Sequence, residues 1–177
     1  MAYNQFRGAI IFACIWFGFS DSSDAQGLRT LAPAQFPELP PAIRSTLESQ
    51  GCRIPQPPTL PETPRLQNVI RGEFQQKGRK DWAVLCEHRD RSSSLLVFRN
   101  GSAAKPSVVT KATAAQNDCW VVIAPVGERF ITQHYRAYGG PKPPPIDHQG
   151  IDYGLCEKAS IVFYFHRGRW LQLTGSD

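Results

Sequence analysis

The clearest alternation of apolar runs with turn signals lies between Asn68 and Phe98. Val69 and Ile70 lead into a polar loop containing Gly72 and Gly78, Trp82 to Cys86 form a short continuous apolar run, and Leu95 to Phe98 form another after a polar interval. Such spacing predicts strand, tight loop, strand, loop, strand. Downstream, Asn100-Gly101 signals a turn, Val108-Val109 a short edge strand, and Asn117 to Ile123 a further strand ended by Pro125 and Gly127. The segment 130–138 fits either helix or strand, and Phe130, Ile131 and Tyr135 favour strand. Gly139 to Pro145, with four prolines and two glycines, reads as irregular loop, and Asp147 to Gly150 as a turn. Ser160 to His166 is the most β-like run of the chain; Arg167-Gly168 makes a two-residue turn, and Arg169 to Thr174 pairs back with Leu171 and Leu173 on one face.

Upstream, the pattern changes character. Met1 to Arg7 carries one positive charge and Gly8 to Phe19 is a mainly apolar run of twelve residues, too short for a bilayer span of about twenty. Ser23-Asp24-Ala25 follows with small residues where a signal peptidase cleaves, so residues 1–25 are expected to be a secretory signal, with an uncleaved anchor as the alternative. Residues 26–64 read as a polar, proline-rich leader. Within it Pro41 to Gln50 is expected to be a short helix, proline suiting the first turn, Ile43 and Leu47 sharing a face and Gly51 capping the end. Pro55 to Pro64, with five prolines, is expected to be an extended linker into a single β-rich domain, residues 65–177.

The expected fold is therefore mainly β: antiparallel sheet or sheets of about six to eight strands, one short N-terminal helix and propeller-blade-like local hairpins. Four cysteines remain after cleavage, Cys52, Cys86, Cys119 and Cys156, and an even number in an exported chain implies two disulfides. Three connectivities exist. Cys52 with Cys86 is favoured, because the segment after the helix must be held against the sheet, which leaves Cys119 with Cys156. Their wide spacing excludes zinc-ribbon and thioredoxin-type pairs.

The loop residues Gly72-Glu73-Phe74-Gln75-Gln76-Lys77-Gly78-Arg79-Lys80-Asp81-Trp82-Ala83-Val84 resemble a degenerate FG-GAP-like repeat of the integrin alpha-chain type. That resemblance implies neighbouring strands of a propeller blade around a calcium-cradling loop. Glu73 and Asp81 match its outer acidic positions, whereas Gln75 and Lys77 stand where the family has Asp or Asn. The departure implies a loop that keeps the turn without the ion, an ammonium between the carboxylates replacing the cation. A calcium-stabilised repeat fragment is the alternative, with Glu73 and Asp81 facing each other around the metal. The downstream pattern is also similar to small exported bacterial proteins of unassigned function.

Charge and chemistry narrow the function classes. The formal charge is +5, and cleavage removes Arg7, Asp21 and Asp24 to give +6. A moderately basic, exported chain is suited to an anionic envelope polymer, a glycan or a protein partner. Nucleic acid is not expected, and membrane contact is expected only through the signal segment before cleavage. His88, His134, His148 and His166 are too scattered for a metal site, no nucleophile-elbow or phosphate-loop motif occurs, and no cofactor is expected. Trp82, Trp120, Tyr135, Tyr138, Tyr153 and Trp170 are candidate stacking residues. Tyr135, Arg136, Tyr138 and Tyr153 are the preferred ligand-binding set because they flank the Pro/Gly loop. The expectation is a non-enzymatic binding module of the cell envelope; a small hydrolase using Asp147, His148, Asp152 or Glu157 is the competing class.

Overall fold

The computed structural model describes residues 29–58, 65–114, 119–156 and 159–177. The signal segment, residues 59–64 of the linker, Asn117 and Glu157 lie outside the described residues. The expected class is the observed one. Among the described residues ten strands form three antiparallel sheets, accompanied by two α-helices, α1 (Pro41–Ser49) and α2 (Glu128–Tyr138). A two-stranded ribbon pairs β1 (Thr30–Leu31) with β2 (Ile54–Pro55). Two four-stranded sheets follow in chain order. The first runs β3 (Val69–Gly72), β4 (Asp81–Glu87), β5 (Ser93–Phe98) and β6 (Ser107–Ala112); the second runs β7 (Val121–Val126), β8 (Gly150–Leu155), β9 (Ser160–His166) and β10 (Arg169–Thr174). Each is a meander in which sequence neighbours pair, also the plan of a propeller blade, although a closed propeller needs about four to eight blades.

Three layers of apolar contact explain why the central strands read as continuous apolar runs. Side chains alternate along a strand, so β4 sends Ala83 and Leu85 to one face and Val84 and Cys86 to the other. The first pair joins Leu95, Val97, Val121, Ile123, Ile151, Tyr153 and Phe163 between the two sheets. The second joins Leu96 and Phe98 under the N-terminal segment, against Ile43, Leu47 and Ile54. On the far side of the second sheet, Val162, Tyr164 and Leu173 pack beneath Ile131 of α2. A strand covered on both faces has no solvent side on which to place polar residues.

Two expectations about the N-terminal part are corrected. The stretch before α1 is not an exposed leader: Leu31, Phe36 and Leu39 are buried in the same cluster as Ile43 and Leu47. Its polar, proline-rich average hides three apolar side chains, which the β1 pairing and a 3-10 turn at Pro33–Gln35 bring inward. The linker likewise begins later than expected, because Pro55 is paired in β2 and the Gln56 amide bonds both the N–H and the carbonyl of Gln67.

The segment 130–138 is helix, not strand. Individual propensities favour strand, but the aromatic spacing is that of a helix: Phe130, His134 and Tyr138 follow at four-residue intervals, the first pair tilted with ring centroids 4.0 Å apart and the second stacked at 6.0 Å. Gly139, at φ 74°, ends the helix. Ile131 then buries against the second sheet, and tertiary burial outweighs weak β propensity.

Both disulfides pair as expected. Cys52–Cys86 spans 5.3 Å between Cα atoms and ties the segment after α1 to β4, where Arg53 and Glu87 also exchange backbone hydrogen bonds. Cys119–Cys156, at 5.7 Å, joins the chain entering β7 to the chain leaving β8. Bridges of this kind belong to oxidising compartments. Among the described residues no helix is long and apolar enough to cross a membrane.

Candidate functional site

The loop between β3 and β4 is held by its own acidic residues. Asp81, 1% exposed, accepts the Gln75 N–H on Oδ2 at 2.9 Å and the Asn100 N–H on Oδ1 at 2.8 Å. Glu73 accepts the Gly78 N–H on Oε2 at 3.0 Å, and its Oε1 lies 3.1 Å from the ammonium of Lys80. The Gly78 bond first, and the Lys80 contact next, hold the Glu73 carboxyl below the usual carboxylate range. The cation beside Glu73 is thus Lys80, and Lys77 is an exposed residue elsewhere on the loop. The expected ammonium between the two carboxylates is corrected to this extent: Lys80 contacts Glu73, whereas Asp81 is held by the backbone N–H groups of Gln75 and Asn100.

A calcium ion does not fit this donor set. It needs about six to eight oxygens free to converge. Here backbone N–H groups point at both carboxylates, and the Lys80 ammonium holds one of them. Among the described residues no cluster of three or more His, Cys, Asp or Glu could hold a metal.

The loop is docked against the turn that precedes β8. Glu73 N–H donates to Gln149 Oε1 and Gln149 N–H donates to the Glu73 carbonyl, both at 2.9 Å. Phe74 is buried between the sheets, and a Cβ on Gly72 would lie 2.6 Å from its ring, so glycine is required for this close approach. The turn is fastened in its turn to the β9–β10 hairpin. The Tyr164 hydroxyl donates to Asp147 Oδ1 at 3.0 Å and accepts the Asp147 N–H at 3.1 Å. His148 stacks on the Tyr164 ring at 4.4 Å; its Nδ1 lies 3.0 Å from the Gln149 carbonyl and its Nε2 2.9 Å from that of Phe165. An imidazolium donates to both, a neutral ring to one.

Between these three fastened segments opens a basin of about 470 Å³, lined by Gln75, Gln76 and Lys77 of the loop, Asp147 and His148 of the turn, and the hairpin residues 165–168. Lys77 and Arg167 are exposed at it, His148 is almost covered with 7% of its side chain accessible, and the Asp147 side chain is 71% accessible. Arg167 and Gly168, at φ 49° and 83°, form the tight turn that presents the guanidinium.

The tyrosine set is only partly brought together. Tyr135, Arg136 and Tyr138 share the last turns of α2, with Tyr138 exposed and Arg136 on a shallow groove beside Arg129, Thr132 and Gln133. Tyr153 is buried between the sheets, edge-on to Phe163, and its burial raises the phenol pKa. It is a core residue, and its place in the ligand-binding set is corrected on that ground.

Of the acids of the hydrolytic alternative, Asp147 and Asp152 are described and each is held by different groups. Asp147 is bonded to Tyr164; Asp152, also on the α2 side of the second sheet, has its carboxyl pKa raised by burial, a rise that Ser160 and His134 partly oppose. Its Oδ1 is buried without a hydrogen-bond partner among the described residues. The sequence marks the turn 147–150 and the loop 72–84 separately. Their meeting with Arg167 had no sequence signal, since the contacts span about seventy and ninety residues of chain.

Compared with protein-family models, curated proteins and solved structures, the chain matches none.

Proposed function

We propose that this protein is an exported, non-enzymatic binding module of the bacterial cell envelope, presenting its ligand surface where the FG-GAP-like loop, the 147–149 turn and the β9–β10 hairpin meet. The observation that carries the reading is the basin itself: three loop segments from both sheets, cross-bonded into one wall, with cationic side chains left at the rim. Binding residues concentrate on loops held by a stable scaffold, and pre-formed walls reduce the entropy lost on binding. Two disulfides support an oxidising location, to which residues 1–25 would deliver the chain. A hydrolytic role has less support, because Asp147 and Asp152 share no partner.

The test is expression of the full chain in a bacterium with a periplasm. The expected product is recovered from the periplasm or medium, starts at Gln26, contains no free thiol, and co-sediments with isolated envelope polymer. A K77E/R167E variant is expected to be exported equally and to stay in the supernatant. Retention in the cytoplasm with an intact N-terminus, or sedimentation that the variant leaves unchanged, would overturn the reading.

A further inference from the structure

We infer that the basin between residues 75–77, the 147–148 turn and the β9–β10 hairpin binds an anionic sugar unit; the inference rests on the binding-module reading above and names its ligand. Size is the first constraint. A volume of about 470 Å³ is within the range of small-ligand sites, roughly 300–1,000 Å³, and suits one or two sugar rings.

Charge is the second. Lys77 and Arg167 make no ion pair among the described residues, Lys77 adding only a longer-range attraction to Glu73. A planar guanidinium with a neighbouring ammonium suits a carboxylate or a phosphate monoester. The third constraint separates an acidic sugar from a plain oxyanion. Asp147 stands in the same basin with an accessible carboxylate, and Gln75 and Gln76 supply side-chain amides. A carboxylate repels a bare anion but accepts hydrogen bonds from hydroxyls, so the lining calls for negative charge and hydroxyl groups on one ligand. Phe165 and His166 complete the lining, whereas both ring nitrogens of His148 already face carbonyls and the ring serves as wall. A multiply charged polyphosphate fits this mixture less well than a singly charged, polyhydroxylated ring.

The experiment titrates the full, oxidised, isotopically labelled chain with a glucuronic acid tetramer, glucuronic acid monomer, a neutral glucose tetramer and a short single-stranded DNA, following backbone amide shifts. Expected are saturable shifts at residues 75–77 and 165–168 with the acidic tetramer. The K77Q/R167Q variant is expected to weaken this binding by about tenfold or more with an unchanged melting temperature. Comparable binding of the monomer would assign the site to a free sugar acid, and tetramer-only binding to a polymer unit; either supports the inference. Equal binding of the neutral tetramer, preferential binding of DNA, or no shift in the basin would overturn it. If the protein still co-sediments with envelope polymer through Lys77 and Arg167, the ligand class alone has failed; if it does not, the binding-module reading has failed as well.

Discussion

The side-chain amide of Asn68 accepts the Ile123 N–H at 3.0 Å, and so stitches the chain entering the first sheet to the middle of β7 in the second. Its Nδ2 donates to the carbonyls of Val121 and Pro55, each at 2.8 Å, so one buried residue joins both sheets and the N-terminal ribbon. Asn68 also adopts φ 69°, a conformation that asparagine tolerates better than most residues. Asn68→Ala is therefore expected to lower stability by about 2–4 kcal/mol, through three backbone groups left without this partner. Urea unfolding checks it, and an unchanged midpoint would show that the sheets are held together without the amide.

Gly72 occupies the point where the loop meets the turn. An added Cβ would lie 2.6 Å from the Phe74 ring and 2.8 Å from Gln149 Oε1. Gly72→Ala is expected to unseat Glu73 from Gln149 and to cost about 1–3 kcal/mol. Faster amide exchange at Glu73 and Gln149, confined to that wall of the basin, is the signature; uniform exchange across the sheet would contradict it.

Calcium should leave the protein unmoved. The melting temperature in millimolar calcium and in excess chelator is expected to agree within about 1 °C, because ligand-linked stabilisation requires a site that the native state offers. A rise of several degrees that Glu73→Gln abolishes would show that the Lys80 contact yields to the ion.

Asp152 gives a pH dependence with a definite sign. Burial raises its folded-state pKa above the ordinary 3.8, so the folded state binds this proton more tightly than the unfolded chain. The ionised carboxyl therefore costs stability at neutral pH. The cost fades as pH falls through the folded value and is absent below the unfolded one. Asp152→Asn is expected to melt higher than the native protein at pH 7 and to lose that advantage towards pH 4. Glu73 and Asp90, whose pKa values are lowered chiefly by hydrogen bonds from Gly78 and Ser92, act in the opposite sense in both proteins and cancel in the comparison. A constant difference across this range would assign the effect to packing.

Strand identities were legible wherever local pattern and burial agree. Trp82 to Cys86, Leu95 to Phe98 and the 160–174 hairpin were readable because continuous apolar runs between turn residues have few other uses. α1 was equally plain from Pro41, the Ile43–Leu47 spacing and Gly51. α2 was not, because aromatic and β-branched residues suit a strand until a sheet face is present to bury one side of a helix. Of the candidate site, the sequence marks the loop from Gly72 to Asp81 and the turn at Asp147 and His148, whereas Arg167 reads only as a turn residue.

By itself the sequence determined the β class, the first helix, the hairpin register and, through an even number of spaced cysteines, the stapled framework. Those features depend on neighbours in the chain, whose periodicity and turn chemistry are written locally. The tertiary structure decided that the N-terminal segment closes the first core, that Tyr153 is interior, that Lys80 and not Lys77 pairs with Glu73, and that three distant loops share one basin. Each of these follows from which faces of the two sheets meet, a long-range choice set by the summed burial of many side chains and not by any one segment.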